Sequence, residues 1–86
     1  MARCEKLLWS ARNNPKGLRF MELCYLAECS GFALDRQAGS HRVYWREGFP
    51  RLLNFQQAKN GMAKSYQVRQ LLDAIAELKG EDNVEV

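Results

Sequence analysis

Apolar positions in the first third of the chain recur at helical spacing. Cys4, Leu7, Leu8 and Ala11 follow the i, i+3, i+4, i+7 rule and predict a short amphipathic helix, which Asn13-Asn14-Pro15 should end before Gly17. Phe20, Leu23, Cys24 and Ala27 make a second stripe, with Glu22, Tyr25 and Cys29 pointing elsewhere and Gly31 placed as a C-terminal stop. The period then changes to two. Phe32 and Leu34 alternate with Ala33 and Asp35, and Val43 and Trp45 alternate with Arg42, Tyr44 and Arg46, which predicts two strands joined by a tight turn at Ala38-Gly39. Glu47-Gly48-Phe49-Pro50 supplies another turn before a third strand over Arg51-Leu52-Leu53-Asn54-Phe55, and strands this close in sequence pair as an antiparallel meander.

Residues 56–64 have no apolar period and contain Asn60-Gly61, so they read as a loop. Ser65 is placed as an N-cap. The strongest stripe follows it: Val68, Leu71, Leu72, Ile75 and Leu78, stopped by Gly80. The expected order is helix, helix, three strands, helix, an α+β chain in one domain with its core over about residues 18–79 and a frayed acidic tail over 80–86.

Size and composition limit this picture without redirecting it. A domain of 86 residues buries only about 60 to 65% of the surface its unfolded chain exposes, so its core is thin. The 47% hydrophobic and 27% charged fractions are ordinary for a soluble protein, no apolar run is long enough to span a membrane, and no leader pattern is visible, so a cytoplasmic location is expected. Cys4, Cys24 and Cys29 fit neither a zinc ribbon nor a redox Cys-x-x-Cys, and Cys24 and Cys29 would sit on different sides of one helix; free thiols and no metal site are expected.

Charge divides the chain. From Arg36 to Arg69 seven basic residues oppose Glu47 alone, a balance of +6, whereas from Asp73 onward five acids oppose Lys79, a balance of −4. A basic middle favours a polyanionic partner. Within it lies the only histidine, His41, beside Gly39 and Ser40 and among Arg36, Arg42 and Arg46. A histidine gives or takes a proton near neutrality, which suits attack of an RNA 2′-hydroxyl on the adjacent phosphorus while cations stabilise the developing charge. That chemistry calls for no metal and no cofactor. One imidazole cannot be both acid and base at once, so the second role falls to water, Tyr44 or Lys64, or His41 acts in turn. A lone histidine at a strand edge also serves simply to pack or to hydrogen-bond, Gly39 can be present only for a positive φ, and the basic residues can be ordinary solvated surface.

Three stretches taken together resemble the HicA family of type II toxin–antitoxin toxins: Arg36-Gln37-Ala38-Gly39-Ser40-His41-Arg42-Val43-Tyr44, then Leu53-Asn54-Phe55-Gln56 after Pro50, then Gly61-Met62-Ala63-Lys64-Ser65-Tyr66-Gln67-Val68-Arg69-Gln70. That family combines a Gly-Ser-His turn, a short strand, a Gly-x-Ala-Lys-Pro-Tyr-Gln-Val-Arg stretch and a final helix. The likeness runs from about Leu18 to Leu78, and Ser65 stands where many relatives have proline. Gly-Ser-His alone is a weak motif; the stretches in order and spacing are much stronger. The resemblance implies a fold like that of double-stranded-RNA-binding domains, here with an extra N-terminal helix. It also implies cleavage of mRNA by His41 on the Gly39-Ser40 turn, and neutralisation by a HicB-type antitoxin. Arg36, Arg42, Arg46, Lys59 and Lys64 are the expected RNA contacts. The alternative is an RNA-binding module of the same fold without chemistry.

Overall fold

A computed structural model describes residues 3–80. Helix α1 (Arg3–Asn13) is followed by a 3₁₀ turn at Pro15–Gly17 and by helix α2 (Phe20–Cys29). Strands β1 (Ala33–Ala38), β2 (His41–Trp45) and β3 (Leu53–Gln56) come next, then a 3₁₀ turn at Lys59–Gly61 and helix α3 (Ser65–Lys79). The α+β class and the element order match the periodicities. Helix α2 opens with the Glu22 side chain reaching back to its N-cap, where the Arg19 N–H donates to Glu22 Oε1 at 2.9 Å. It closes as the sequence predicts: Gly31 takes φ +91°, and the Gly31 and Phe32 N–H groups donate to the Glu28 and Ala27 carbonyls at 3.1 and 3.0 Å.

The sheet has the order β1-β2-β3 and is antiparallel throughout. A bulge between Leu34 and Arg36 leaves Asp35 unpaired and lets Arg36 stand opposite Val43. From there the register runs Gln37 to Arg42 and Ala38 to His41, so Gly39-Ser40 is a two-residue hairpin turn. Gly39 has φ +61°, the positive value needed at the first central position of a II′ turn, whose twist matches the flanking strands. Across the other ladder His41 stands opposite Gln56, Arg42 opposite Phe55 and Tyr44 opposite Leu53.

The pleat sorts these residues. Tyr44, Leu53 and Phe55 face the core shared with Leu23, Leu26, Val68 and Leu71, and all three helices pack on that side. His41, Val43, Asn54 and Gln56 take the opposite side, where His41 and Asn54 are exposed.

Several details differ from the sequence reading. In β2 it is Tyr44 that faces the core, while Val43 takes the other side and Trp45 is exposed, and in β1 Leu34 is exposed. The turn expected at Ala38-Gly39 lies one residue on, at Gly39-Ser40, because Ala38 pairs with His41. Ser65 is the first residue inside α3, and Lys64 is the N-cap without a side-chain capping bond. The core extends before residue 18, because α1 contributes Leu7 and Ala11 to it. β1 runs to Ala38, longer than its apolar alternation, because the hairpin ladder carries its exposed polar end. The cysteines are not all free thiols. Cys4 and Cys29 form a disulfide with Cα atoms 5.9 Å apart, and Cys24 alone is free and buried. The short connection folds α1 back on α2, which brings the first turn of one beside the last residue of the other; no spacing within a single helix reveals that. Of the tail expected to fray, residues 81–86 lie outside the described residues. Among the described residues no helix is long and apolar enough to cross a membrane.

Candidate active site

His41 is the first residue of β2, presented by the Gly39-Ser40 turn at the end of the hairpin. Its Nδ1 lies 3.1 Å from Oδ1 of Asn54, which the β3 pleat puts on the same face. An amide oxygen only accepts, so with that oxygen toward the ring Nδ1 carries the hydrogen and the lone pair of the neutral imidazole is on Nε2. Ser40 is tied into the same cluster: Gln56 Nε2 donates to Ser40 Oγ at 3.2 Å, and Lys64 Nζ donates to Gln56 Oε1 at 3.1 Å. A cation, an amide and a hydroxyl thus form a chain that ends next to the histidine.

The N-terminal end of α3 builds the opposite wall. The Gln56 N–H, at the open edge of the sheet, donates to Gln67 Oε1 at 2.9 Å, and Gln67 is itself buried, which fixes α3 against β3. A recess of about 320 Å³ opens between them. His41, Asn54 and Gln56 line it from the sheet, and Tyr66, Gln67 and Gln70 from the helix. Leu52 stands at its edge.

The residues expected at the site divide. Gly39, Ser40, His41 and Lys64 are brought together. Arg36 shares the face of His41 through its pairing with Val43, and its Nη1 meets Asp35 Oδ2 at 2.6 Å in an exposed ion pair. Arg42 lies on the other face, with its guanidinium 5.9 Å from the Phe20 ring centroid. Arg46 is five residues along the strand from His41, about 16 Å at strand rise. There its Nε donates to the Ser30 carbonyl at 3.0 Å and its Nη1 to the Glu47 carbonyl at 2.9 Å, so it joins the end of α2 to the β2–β3 turn. Lys59 is exposed in the 3₁₀ turn after β3.

Tyr44, one of the groups considered for the second acid or base, is excluded from that part. It is fully buried on the core face, across the sheet from His41. Burial pushes its phenol up to about 12, the Cys24 thiol adds to the shift and the Arg42 guanidinium opposes it. Its hydroxyl has no hydrogen-bond partner among the described residues.

Compared with known proteins, the chain matches no family model, no curated protein and no solved structure.

Six residues lining the recess carried no assignment in the sequence reading: Asn54, Gln56, Tyr66, Gln70, Gln67 and Leu52. A signal for the first two was present. With Leu53 and Phe55 on the core side of β3, alternation leaves Asn54 and Gln56 as two amides on the other side. For Tyr66 and Gln70 the signal is their spacing of four on α3, one face of a helix, although only the docking of that helix brings the face to His41.

Proposed function

We propose that the protein is a metal-independent endoribonuclease of the HicA toxin type, with His41 as its catalytic residue. The observation that carries this reading is the contact of His41 Nδ1 with the Asn54 amide oxygen, which leaves Nε2 as the ring nitrogen available for proton transfer in a residue that lines an open recess. In the reaction Nε2 removes the 2′-hydroxyl proton, O2′ bonds to the adjacent phosphorus, the bond from phosphorus to O5′ breaks, and the leaving oxygen takes a proton. The products are a 2′,3′-cyclic phosphate and a 5′-hydroxyl end. Lys64, whose Nζ donates to Gln56 in the cluster around Ser40, supplies positive charge to stabilise the phosphorane in this proposal. The protonated His41 or a water donates to the leaving group.

The order α2-β1-β2-β3-α3, with helices on one side of a three-stranded meander, also supports the reading, because it is the order of a double-stranded-RNA-binding domain preceded here by α1. Single-stranded mRNA is the substrate in this proposal, and the protein works in the cytoplasm. A HicB-type antitoxin neutralises it by covering His41 and Lys64. An acidic partner surface would associate rapidly with the +6 segment between Arg36 and Arg69.

The test compares the wild type with His41→Ala on RNA and on DNA of the same sequence, in the presence of a chelator. Cleavage of RNA alone, with cyclic phosphate ends and loss in His41→Ala by at least about 10²-fold, is the expected result. Tight, salt-sensitive RNA binding without products would instead establish a non-catalytic RNA-binding module.

A further inference from the structure

We infer that the recess beside His41 is a nucleobase pocket, in which Tyr66 stacks on the base and the side-chain amides of Asn54 and Gln70 take its hydrogen-bonding edge. The inference rests on the ribonuclease reading for the identity of the chain held, and on the chemistry of the walls for everything else.

The walls select against other ligands. They hold no lysine, arginine or carboxylate, so the recess itself is poorly suited to a phosphate, which is better served by Lys64 at its margin. Four amide side chains are too many for a purely apolar guest. Amides both donate and accept in one plane, which is the pattern that pairs with base edges. Two of them are already engaged: Gln67 holds the Gln56 N–H, and Gln56 bridges Lys64 and Ser40. The nitrogen of Asn54 and both ends of the Gln70 amide make no hydrogen bond among the described residues and remain for a ligand.

The mouth adds the second element. Tyr66 and Leu52 are 55% and 53% exposed, so two large apolar side chains stand beside the amides that line the recess. Tyr66 sits in the first turn of α3, and the Gln67 amide nitrogen lies 3.4 Å from its hydroxyl, which restrains the ring. An aromatic face at the mouth and unpaired amides inside are the components with which proteins hold unstacked RNA bases. At about 320 Å³ the recess is near the lower end of the range for small-molecule sites, fitting one base rather than a paired helix. A base seated there lies next to His41, so the pocket would choose the nucleotide at the cut.

The test uses the four ribonucleoside 3′-monophosphates, with ribose 5-phosphate as the base-free control, titrated into the full chain and followed by NMR. The expected result is selective movement of the Tyr66 ring signals and the Asn54 and Gln70 side-chain amides. At least one nucleotide should bind about tenfold or more tightly than ribose 5-phosphate. Tyr66→Ala should weaken nucleotide binding at least about fivefold without changing ribose 5-phosphate binding, whereas Tyr66→Phe keeps the stacking face and most of the affinity. Equal binding of nucleotides and ribose 5-phosphate, or nucleotide affinity unmoved by Tyr66→Ala in a folded variant, overturns the pocket. If RNA cleavage still depends on His41 in that case, the nuclease reading stands without it. Base-dependent binding at Tyr66 in a protein that cuts no RNA removes the nuclease and leaves the pocket.

Discussion

Asn54 Oδ1 approaches His41 Nδ1 at 3.1 Å from the neighbouring strand, so the sheet itself sets the direction of the imidazole. The contact is exposed, and its contribution to stability is small. Its proposed value lies in aiming Nε2 at the recess, a positioning role, since Asn54 acts here through the histidine. Asn54→Ala should therefore lower kcat for RNA cleavage by about ten- to a hundredfold, the cost of misplacing a reacting group by about 1 Å, with a smaller change in KM. A thermal melt within a few degrees of wild type would show that the fold is intact. Undiminished kcat would separate Asn54 from the mechanism.

The turn that presents His41 depends on a backbone conformation, and the cost of disturbing it can be compared with a second glycine. At Gly39, with φ +61°, a Cβ would meet nothing within 4 Å, so Gly39→Ala carries only the left-handed backbone penalty of about 1 to 2 kcal/mol. At Gly31, with φ +91°, a Cβ would also lie 2.7 Å from Arg46 Nε, which is held by the Ser30 carbonyl. Gly31→Ala should lower Tm more than Gly39→Ala. Gly39→Ala should fall by roughly 5 to 15 °C for a domain of this size. The reverse order in differential scanning would show that the Arg46 bond is easily displaced.

Tyr44 gives a prediction about the core. Its hydroxyl is buried without a partner, so Tyr44→Phe removes an unsatisfied group and leaves the ring in place beside Phe55, with centroids 5.5 Å apart. Stability at pH 7 should change by less than about 1 kcal/mol or rise. The alkaline behaviour has a definite sign. The phenol ionises near 10 when unfolded and near 12 when folded, so above pH 10 the unfolded chain loses its proton first. Stability is fully present below pH 10 and declines as pH rises toward 12. Urea denaturation across that window should show a steeper loss in wild type than in Tyr44→Phe; equal slopes would contradict the buried, unpaired hydroxyl.

Much of this architecture can be read from one dimension. The stripes of α2 and α3 are legible because a thin core leaves one face of each helix apolar at its own period. The alternation in β2 misleads: Val43 and Trp45 mark the apolar side, whereas Tyr44 between them is the residue that enters the core and Trp45 is exposed. A turn at Gly39 is legible because few residues tolerate its φ, although its position, Gly39-Ser40 and not Ala38-Gly39, is set by the pairing of Ala38 with His41. The site is only half legible. His41 and Lys64 stand out by chemical type, whereas Asn54 is an ordinary polar strand residue until β3 is set in register against β2. The arginines mislead for a related reason: charge type marks Arg42 and Arg46, but the pleat turns Arg42 away, and Arg46 spends its donors on two carbonyls. Cys4 and Cys29 are the plainest case, since their pairing depends wholly on how α1 folds back on α2.

That pairing carries its own prediction. The disulfide closes a loop with a sequence separation of 25, for which loss of chain entropy in the unfolded state corresponds to about 3.5 kcal/mol. Cys4→Ser, or reduction of the wild type, should lower stability by up to that amount. The loss should appear first as weaker hydrogen-exchange protection in α1, whose remaining hold on the core is mainly Leu7 and Ala11. His41 and Asn54 lie on the far face of the sheet from α1, so any RNA cleavage should survive reduction while the rest of the domain stays folded. Thiol titration under non-reducing denaturing conditions should find one reactive cysteine, Cys24, and after reduction three. Three without reductant would mean that the bond is open in the protein as isolated, as a reducing compartment would keep it.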